Sequence, residues 1–334
     1  MAMLEVNHLS TEFKTDNGIV KAVRDVSFKV EKGEVLGIVG ESGSGKSQTM
    51  FSIMGLLSGN GYVSEGEITI DGKDISPKNY SEKEYEKIMS DIRGNDMAMI
   101  FQDPMTFLNP VLKIGTQLIE PILNHNKISK QEATERAIEL MRKVGIPSPE
   151  TRLNQYPFEF SGGMRQRIII AIALACNPKI IIADEPTTAL DVTIQAQVLD
   201  LISNLKDELD SGIIMITHDL GVVASICDRI NIMYGGKVVE TGTTDEIFYN
   251  PKHPYTIGLL SCISNPEDDV KKELHPIPGS PPDLLNIKEN CPFADRCEKA
   301  MKICKMKMPE FTEYSDSHQC ACWLSHPMAK GKGE

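Results

Sequence analysis

Gly40-Glu41-Ser42-Gly43-Ser44-Gly45-Lys46-Ser47 fits G-x-x-x-x-G-K-[ST], the pattern of a phosphate-binding P-loop. Val35-Leu36-Gly37-Ile38-Val39 before it reads as a buried parallel strand, and Gln48 to Leu57 after it reads as a helix. Strand, glycine-rich turn and helix are the setting that the pattern needs. Glycines let the backbone wrap phosphate oxygens closely, with N–H groups pointing inward. The helix N-terminus adds partial positive charge at the same spot. Lys46 is placed to reach the β- and γ-phosphates, and the Ser47 hydroxyl to ligate Mg²⁺.

Around this stretch, Leu4 to Leu9 and Val26 to Val30 alternate apolar with polar residues, as half-exposed strands do. Asp16-Asn17-Gly18 is a turn, and Glu67 to Ile70 a strand ending at Asp71-Gly72. Residues 1–75 therefore read as an antiparallel β layer interrupted by the P-loop unit. Met97 to Phe101 is a short apolar strand followed by Gln102-Asp103-Pro104. Residues 113–146 are helical in pattern, with Ser129 and Glu132 spaced as a capping box and Gly145 and Pro147 closing the segment. Ser161 is a natural N-cap for a helix running from Gly162-Gly163 to about Cys176. Ile180-Ile181-Ile182-Ala183-Asp184-Glu185 is an apolar strand ending in two acids. Val192 to Glu208 is an amphipathic helix. Ile213 to Thr217 is a strand ending in His218-Asp219. Ile230 to Tyr234, Gly235-Gly236 and Lys237 to Thr241 form a hairpin. Strands alternating with helices after residue 97 predict an α/β core.

The chain has 334 residues, which predicts one large domain plus a smaller one. A net charge of −12 argues against a general nucleic-acid surface. Met1-Ala2-Met3-Leu4-Glu5-Val6 lacks the basic-then-apolar order of a signal peptide. The longest apolar run, Ile168 to Cys176, is too short to span a bilayer, so work at a membrane would require other chains. Cys176, Cys227 and Cys262 lie in apolar stretches and read as small buried hydrophobes. Cys291, Cys297, Cys304, Cys320 and Cys322 crowd into the last 44 residues, which suggests metal before disulfides. Residues 264–290 carry Pro266, Pro276, Pro278, Pro281 and Pro282 and read as an extended loop, and Gly331 to Glu334 as a frayed end.

At a strand's C-terminal end, polar residues face the ligand crevice of a parallel sheet. Asp184 is so placed to hold Mg²⁺, and Glu185 to polarise a water beside a γ-phosphate. His218 and Gln102 also follow strand ends. Ser161-Gly162-Gly163 at a helix start is a second anion site in one chain.

The order P-loop, Gln102, Ser161-Gly162-Gly163-Met164-Arg165, Asp184-Glu185, Ala189-Leu190-Asp191, His218 resembles the nucleotide-binding subunit of ABC transporters over residues 4–250. The resemblance implies a P-loop NTPase of ABC type, with a parallel sheet core, an antiparallel β layer and a helical subdomain at about 102–178. It implies an ATPase whose signature motif closes on the P-loop of a second ATPase subunit, a copy or a paralogue, head to tail with two ATP between them. It makes Glu185 the general base and sets His218 and Gln102 against γ-phosphate, Mg²⁺ and attacking water. Asp191 then couples the two sites. Gly40, Ser42, Gly43, Ser44, Gly45, Lys46, Ser47 and Gln48 hold ATP with Ser161, Gly162 and Gly163. Ser47, Gln102 and Asp184 serve Mg²⁺. Phe13 stands where the family has an aromatic, more often tyrosine, that stacks on adenine.

His253-Pro254-Tyr255-Thr256, Pro278-Gly279-Ser280-Pro281-Pro282 and Cys291-Pro292-Phe293-Ala294-Asp295-Arg296-Cys297 resemble the ATPase subunits of dipeptide and oligopeptide importers, a pattern that nickel importers share in part. A soluble, non-transport ABC ATPase is the other class. The importer resemblance implies a proline-rich extension at 251–290 and a small cysteine-rich subdomain at 291–334 that binds a four-iron–four-sulfur cluster. It also implies two transmembrane permease subunits, an external solute-binding protein acting indirectly, and a peripheral place on the cytoplasmic face. Spacing alone does not choose the metal. Five residues separate Cys291 from Cys297 and six separate Cys297 from Cys304, wider than zinc knuckles and unlike the tight ferredoxin run. Zinc and no metal therefore stay open. By the family pattern Cys291, Cys297, Cys304 and Cys322 are the ligands, with Cys320 the alternative fourth.

Overall fold

In a computed structural model the described residues are 2–102, 107–188, 191–262, 276–326 and 329. The sequence readings at Asp103-Pro104, Ala189-Leu190, Pro266 and Gly331 to Glu334 fall outside them. The chain divides into two compact units, Met1–Glu5, Lys29–Val35 and Thr69–Ile216, and Val6–Phe28, Leu36–Ile68 and Thr217–Glu334.

In the first unit the strands Met97–Ile100, Ile180–Asp184 and Gly212–Thr217 lie parallel, with Met97 opposite Ile180 and Asp184 opposite Ile216. Every residue of the three is buried. That is why they read as continuous apolar runs: a parallel sheet is covered on both faces. The helical segment expected at 113–146 is two helices, Ile114–His125 and Lys130–Lys143, split where Ser129 and Glu132 form their capping box. Helix Gly162–Ala173 packs on both. Its Ile168, Ile170 and Ala171 are fully buried, so it is apolar beyond a single stripe. Leu174 caps it, short of the expected Cys176. Helix Glu82–Ile92 was missed in the sequence, although its Ser81–Glu84 capping box marks its start. In the insertion at about 102–160, where a docking surface is expected, the sequence suggests that both Phe107 and Leu108 are exposed, and the structure corrects this for Leu108. Phe107 is 46% exposed and stacks on Phe101, whereas Leu108 is 3% exposed.

In the second unit Val35–Val39 pairs in parallel with Arg229–Tyr234, which forms a hairpin through Gly235-Gly236 with Lys237–Thr243. Gln319–Cys320 adds to the far side of Lys237–Thr243, with Cys320 opposite Glu240, and Thr312–Glu313 pairs outside it. Most of the antiparallel layer belongs here too, in the order Gly18–Glu31, Ala2–Thr15, Gly61–Ile70. Val26, Phe28 and Val30 are buried while Asp25, Ser27 and Lys29 are exposed, the period-two alternation of a sheet with one wet face. The helices Thr244–Tyr249 and Pro254–Ser261 were not foreseen, and the second lies inside the segment expected as a proline-rich extension at 251–290. Cys227 is buried as expected, Cys176 is half-buried, and Cys262 is exposed, contrary to its reading as a core residue.

His253 caps the Pro254–Ser261 helix: its Nδ1 accepts from the Tyr255 N–H at 3.1 Å, and its buried Nε2 has no hydrogen-bond partner among the described residues. Burial alone pulls its pKa from 6.5 down to about 3. The folded state thus keeps the ring neutral where the unfolded chain would protonate it. The stability this group contributes is complete above about pH 6.5 and is lost as pH falls toward about 3, at up to ~1.4 kcal/mol per pH unit. Denaturant unfolding at about pH 7 and about pH 4.5 should show the decline, and His253→Asn should flatten it. An equal slope in the variant would contradict this account.

Candidate functional site

The phosphate cradle lies in the second unit. Gly40 has no room for a side chain: an added Cβ would overlap the Met233 carbonyl and approach Ser44 Oγ. Gly45 has φ +101°, and a Cβ there would lie 2.5 Å from the Ala22 carbonyl oxygen. Both spaces are filled by backbone, so the loop can take its shape only with glycine. Helix Lys46–Met54 starts at Gly45 with no side-chain cap, as suits a helix end whose N–H groups are meant for an anion. Lys46 is 6% exposed. Its Nζ donates to the carbonyls of Gly40 at 2.7 Å and Glu41 at 2.9 Å. These features fit a triphosphate: a closely wrapped backbone, an open helix start and a lysine held over the loop. Gly45→Ala should cost about 2–4 kcal/mol of stability, from the left-handed backbone and the overlap together. Denaturant midpoints would check this.

In the same unit Phe13 is half-buried with its ring against Gly61, where a Cβ would come within 2.5 Å of it. Exposed His218 follows Thr217 at the strand end. The Asp219 N–H donates to Thr217 Oγ1, and the Asp219 carboxylate caps helix Leu220–Ile226 by accepting from the Gly221 and Val222 N–H groups. His218 is thus fixed between a strand end and a helix start.

The acidic pair lies in the first unit. Asp184 ends its strand buried. Glu185 has φ +46°, a left-handed conformation of order 1–3 kcal/mol unfavourable for such a residue. The strand hydrogen bond from Glu185 N–H to the Ile216 carbonyl, 2.9 Å, holds it there. Glu185 Oε2 accepts from Gln102 Nε2 at 2.8 Å and from Thr188 Oγ1 at 2.9 Å. Gln102 and Glu185, singled out separately in the sequence, therefore meet. Thr188 was missed, since a threonine three residues past an acid carries no distinct signal.

Ser161 Oγ accepts from Met164 N–H at 3.3 Å, the N-cap expected of it. Gly162 beside it is exposed, with open space around it. Gly163 abuts Ile194, so the helix start packs on the helix Val192–Leu209. Asp191 caps that helix by accepting from Ile194 N–H at 3.0 Å. Asp191 and its neighbour Val192, 83% exposed, face solvent.

Cys291, Cys304 and Cys322 are buried and Cys297 half-buried, all as free thiols. Burial pushes the Cys291 thiol up to about 12, and Cys304, Cys322 and Cys297 oppose its ionisation further, so the four interact. Cys320 hydrogen-bonds Cys322, which raises its own pKa and lowers that of Cys322. His318 directs Nε2 to the buried Glu240 at 2.8 Å instead of to these thiols. The donor chemistry suits a soft metal. Among the described residues, however, no group of three or more His, Cys, Asp or Glu is arranged to hold one.

A family model described as "ABC transporter" matches residues 23–188. A second, "Oligopeptide/dipeptide transporter, C-terminal region", matches residues 239–304. The chain is 55% identical to the oligopeptide transport ATP-binding protein OppD of Bacillus subtilis, over 98% of this chain and 90% of the relative. It is 51% identical to the dipeptide transport ATP-binding protein DppD of Lactococcus lactis, over 98% and 92%. A dimeric ATP-binding cassette solved in a post-hydrolysis state with ADP and Pi matches with a TM-score of 0.63 and 29% identity, over 72% of this chain and 99% of that one.

Proposed function

Since the chain belongs to the ABC transporter ATP-binding proteins of the oligopeptide and dipeptide type, we propose that it hydrolyses ATP to power peptide uptake through a membrane importer. The observation that carries this is near full-length likeness to two such proteins in a chain whose P-loop is built to hold a triphosphate. Gly40 to Gln48 bind the triphosphate, Phe13 stacks on the base, and Lys46 neutralises the β- and γ-phosphates. Ser47, Gln102 and Asp184 would hold Mg²⁺, which would offset charge on the phosphate oxygens. Glu185 takes the proton of the water that attacks the γ-phosphorus as the bond to the β,γ-bridging oxygen breaks. Gln102 orients the Glu185 carboxylate, and His218 contacts the γ-phosphate. Ser161, Gly162 and Gly163 serve the ATP of a second ATPase subunit packed head to tail, and Asp191 couples the two sites.

The partners are two permease subunits, reached from the external solute-binding protein, with this chain on the cytoplasmic face of the membrane. Among the described residues no helix is long and apolar enough to cross a membrane. The docking surface includes the exposed Phe107, Val111, Leu112 and Phe158 of the first unit. Affinity purification from detergent-solubilised membranes should recover two multi-span proteins with the chain, and ATP hydrolysis should follow the complex. Recovery only with ribosomes or DNA would overturn the proposal. The cysteine tail is read as a small subdomain in which Cys291, Cys297, Cys304 and Cys322 hold a four-iron–four-sulfur cluster. Its support is that all four are free thiols, three of them buried, in a segment matched by the oligopeptide/dipeptide transporter C-terminal family up to residue 304. Anaerobic reconstitution should give charge-transfer absorbance that Cys291→Ser abolishes. Zinc in place of iron by elemental analysis would correct it.

A further inference from the structure

Glu41 occupies a free position of the P-loop pattern, yet it is held on three sides. Its carboxylate takes a two-pronged ion pair from Arg296, Nη1 to Oε2 at 2.6 Å and Nη2 to Oε1 at 3.1 Å. Its N–H donates to the Tyr255 hydroxyl at 2.8 Å. Its carbonyl accepts from Lys46 Nζ at 2.9 Å. All these residues belong to the second unit.

Arg296 is itself fully engaged. Its remaining N–H groups go to the Pro278 carbonyl at 2.8 Å, the Ile277 carbonyl at 3.1 Å and the Tyr234 hydroxyl at 3.1 Å, which accounts for all five guanidinium donors. Its side chain is 7% exposed and lies over the rings of Tyr234 and Phe293. Tyr255 is fully buried and packs against the same two rings. A planar fork held at every donor fixes direction as well as charge. Such a pair is far more rigid than an exposed salt bridge between flexible side chains.

We infer that Arg296 and Tyr255 are positioning residues for ATP binding: through Glu41 they hold the P-loop backbone and, by its carbonyl, the Lys46 ammonium in the geometry a triphosphate requires. The Cys291–Cys297 segment, which carries Arg296, thereby becomes part of the scaffold of the nucleotide site. This inference rests on the ATPase reading above. A preformed loop binds without an ordering cost at the moment of binding, so the effect falls on affinity more than on the chemical step.

The test uses the full-length chain and MgATP. Arg296→Lys keeps charge and stem but loses the fork; it should weaken equilibrium MgATP binding about 5- to 20-fold and raise KM similarly, with kcat within about twofold. Tyr255→Phe removes one hydroxyl from an otherwise unchanged ring and should weaken binding about 3- to 10-fold. Because both act through one residue, Arg296→Lys combined with Glu41→Gln should be no worse than the stronger single variant. Wild-type KM in Arg296→Lys and Tyr255→Phe, or a loss of thermal midpoint without loss of affinity in folded protein, would overturn the inference while leaving the ATPase reading intact. A wild-type chain that binds no MgATP would overturn that reading instead.

Discussion

Glu185→Gln is expected to lower ATP turnover by about 10²–10⁴-fold while leaving MgATP binding within a few-fold of wild type. Glutamine fills the same volume and keeps a carbonyl oxygen for the donors at Gln102 Nε2 and Thr188 Oγ1. The change therefore removes a proton acceptor and little else. The left-handed backbone at Glu185 argues the same way: an unfavourable conformation is kept at the end of a buried strand where it aims a carboxylate. Single-turnover hydrolysis beside equilibrium binding separates the two effects. A dimer trapped with uncleaved ATP should accumulate in the variant. Undiminished hydrolysis would remove Glu185 from the role of general base.

Lys46→Ala is expected to do the reverse, abolishing binding at the outset. Hydrogen bonds to charged groups contribute about 1.5–3 kcal/mol each, and two of them to phosphate oxygens correspond to roughly 10²–10⁴-fold in affinity. The folded chain already positions the ammonium over the loop on the carbonyls of Gly40 and Glu41, so the lysine exchanges partners on binding rather than searching for them. Titration with MgATP should show no saturation at concentrations that fill the wild type, while far-ultraviolet circular dichroism stays unchanged. A variant that binds normally would detach the cradle from nucleotide recognition.

The P-loop, the acidic strand end and the Ser161 helix start were legible because each is a local pattern whose physics acts within a few residues: a tight turn, a buried strand, a cap. The glycine hairpin at Gly235-Gly236 and the capping box at Ser129 were legible for the same reason. Helices Thr244–Tyr249 and Pro254–Ser261 were not, because they are short and their order comes from packing and capping as much as from periodicity, whereas Glu82–Ile92 carries the same Ser-x-x-Glu start as the Ser129 helix and was missed. The Arg296–Glu41 pair lay furthest from view. Its members are 255 positions apart, and neither is unusual where it stands. The reading of Leu108 as exposed failed because a polar, proline-containing neighbourhood says nothing about which of two adjacent apolar residues turns inward.

The short strand Gln319–Cys320 has a practical consequence for anyone who would trim this chain to its ATPase portion. It covers the outer side of Lys237–Thr243, and His318 beside it answers the fully buried carboxylate of Glu240. Cutting the chain after residue 304 would bare a strand edge ready to pair with other molecules and take the His318 ring from the buried Glu240 carboxylate, which would keep the Lys252 and His253 N–H groups. The shortened protein should clump before any question about its catalysis could be asked. The last thirty or so residues are a hem, sewn to the cloth they finish.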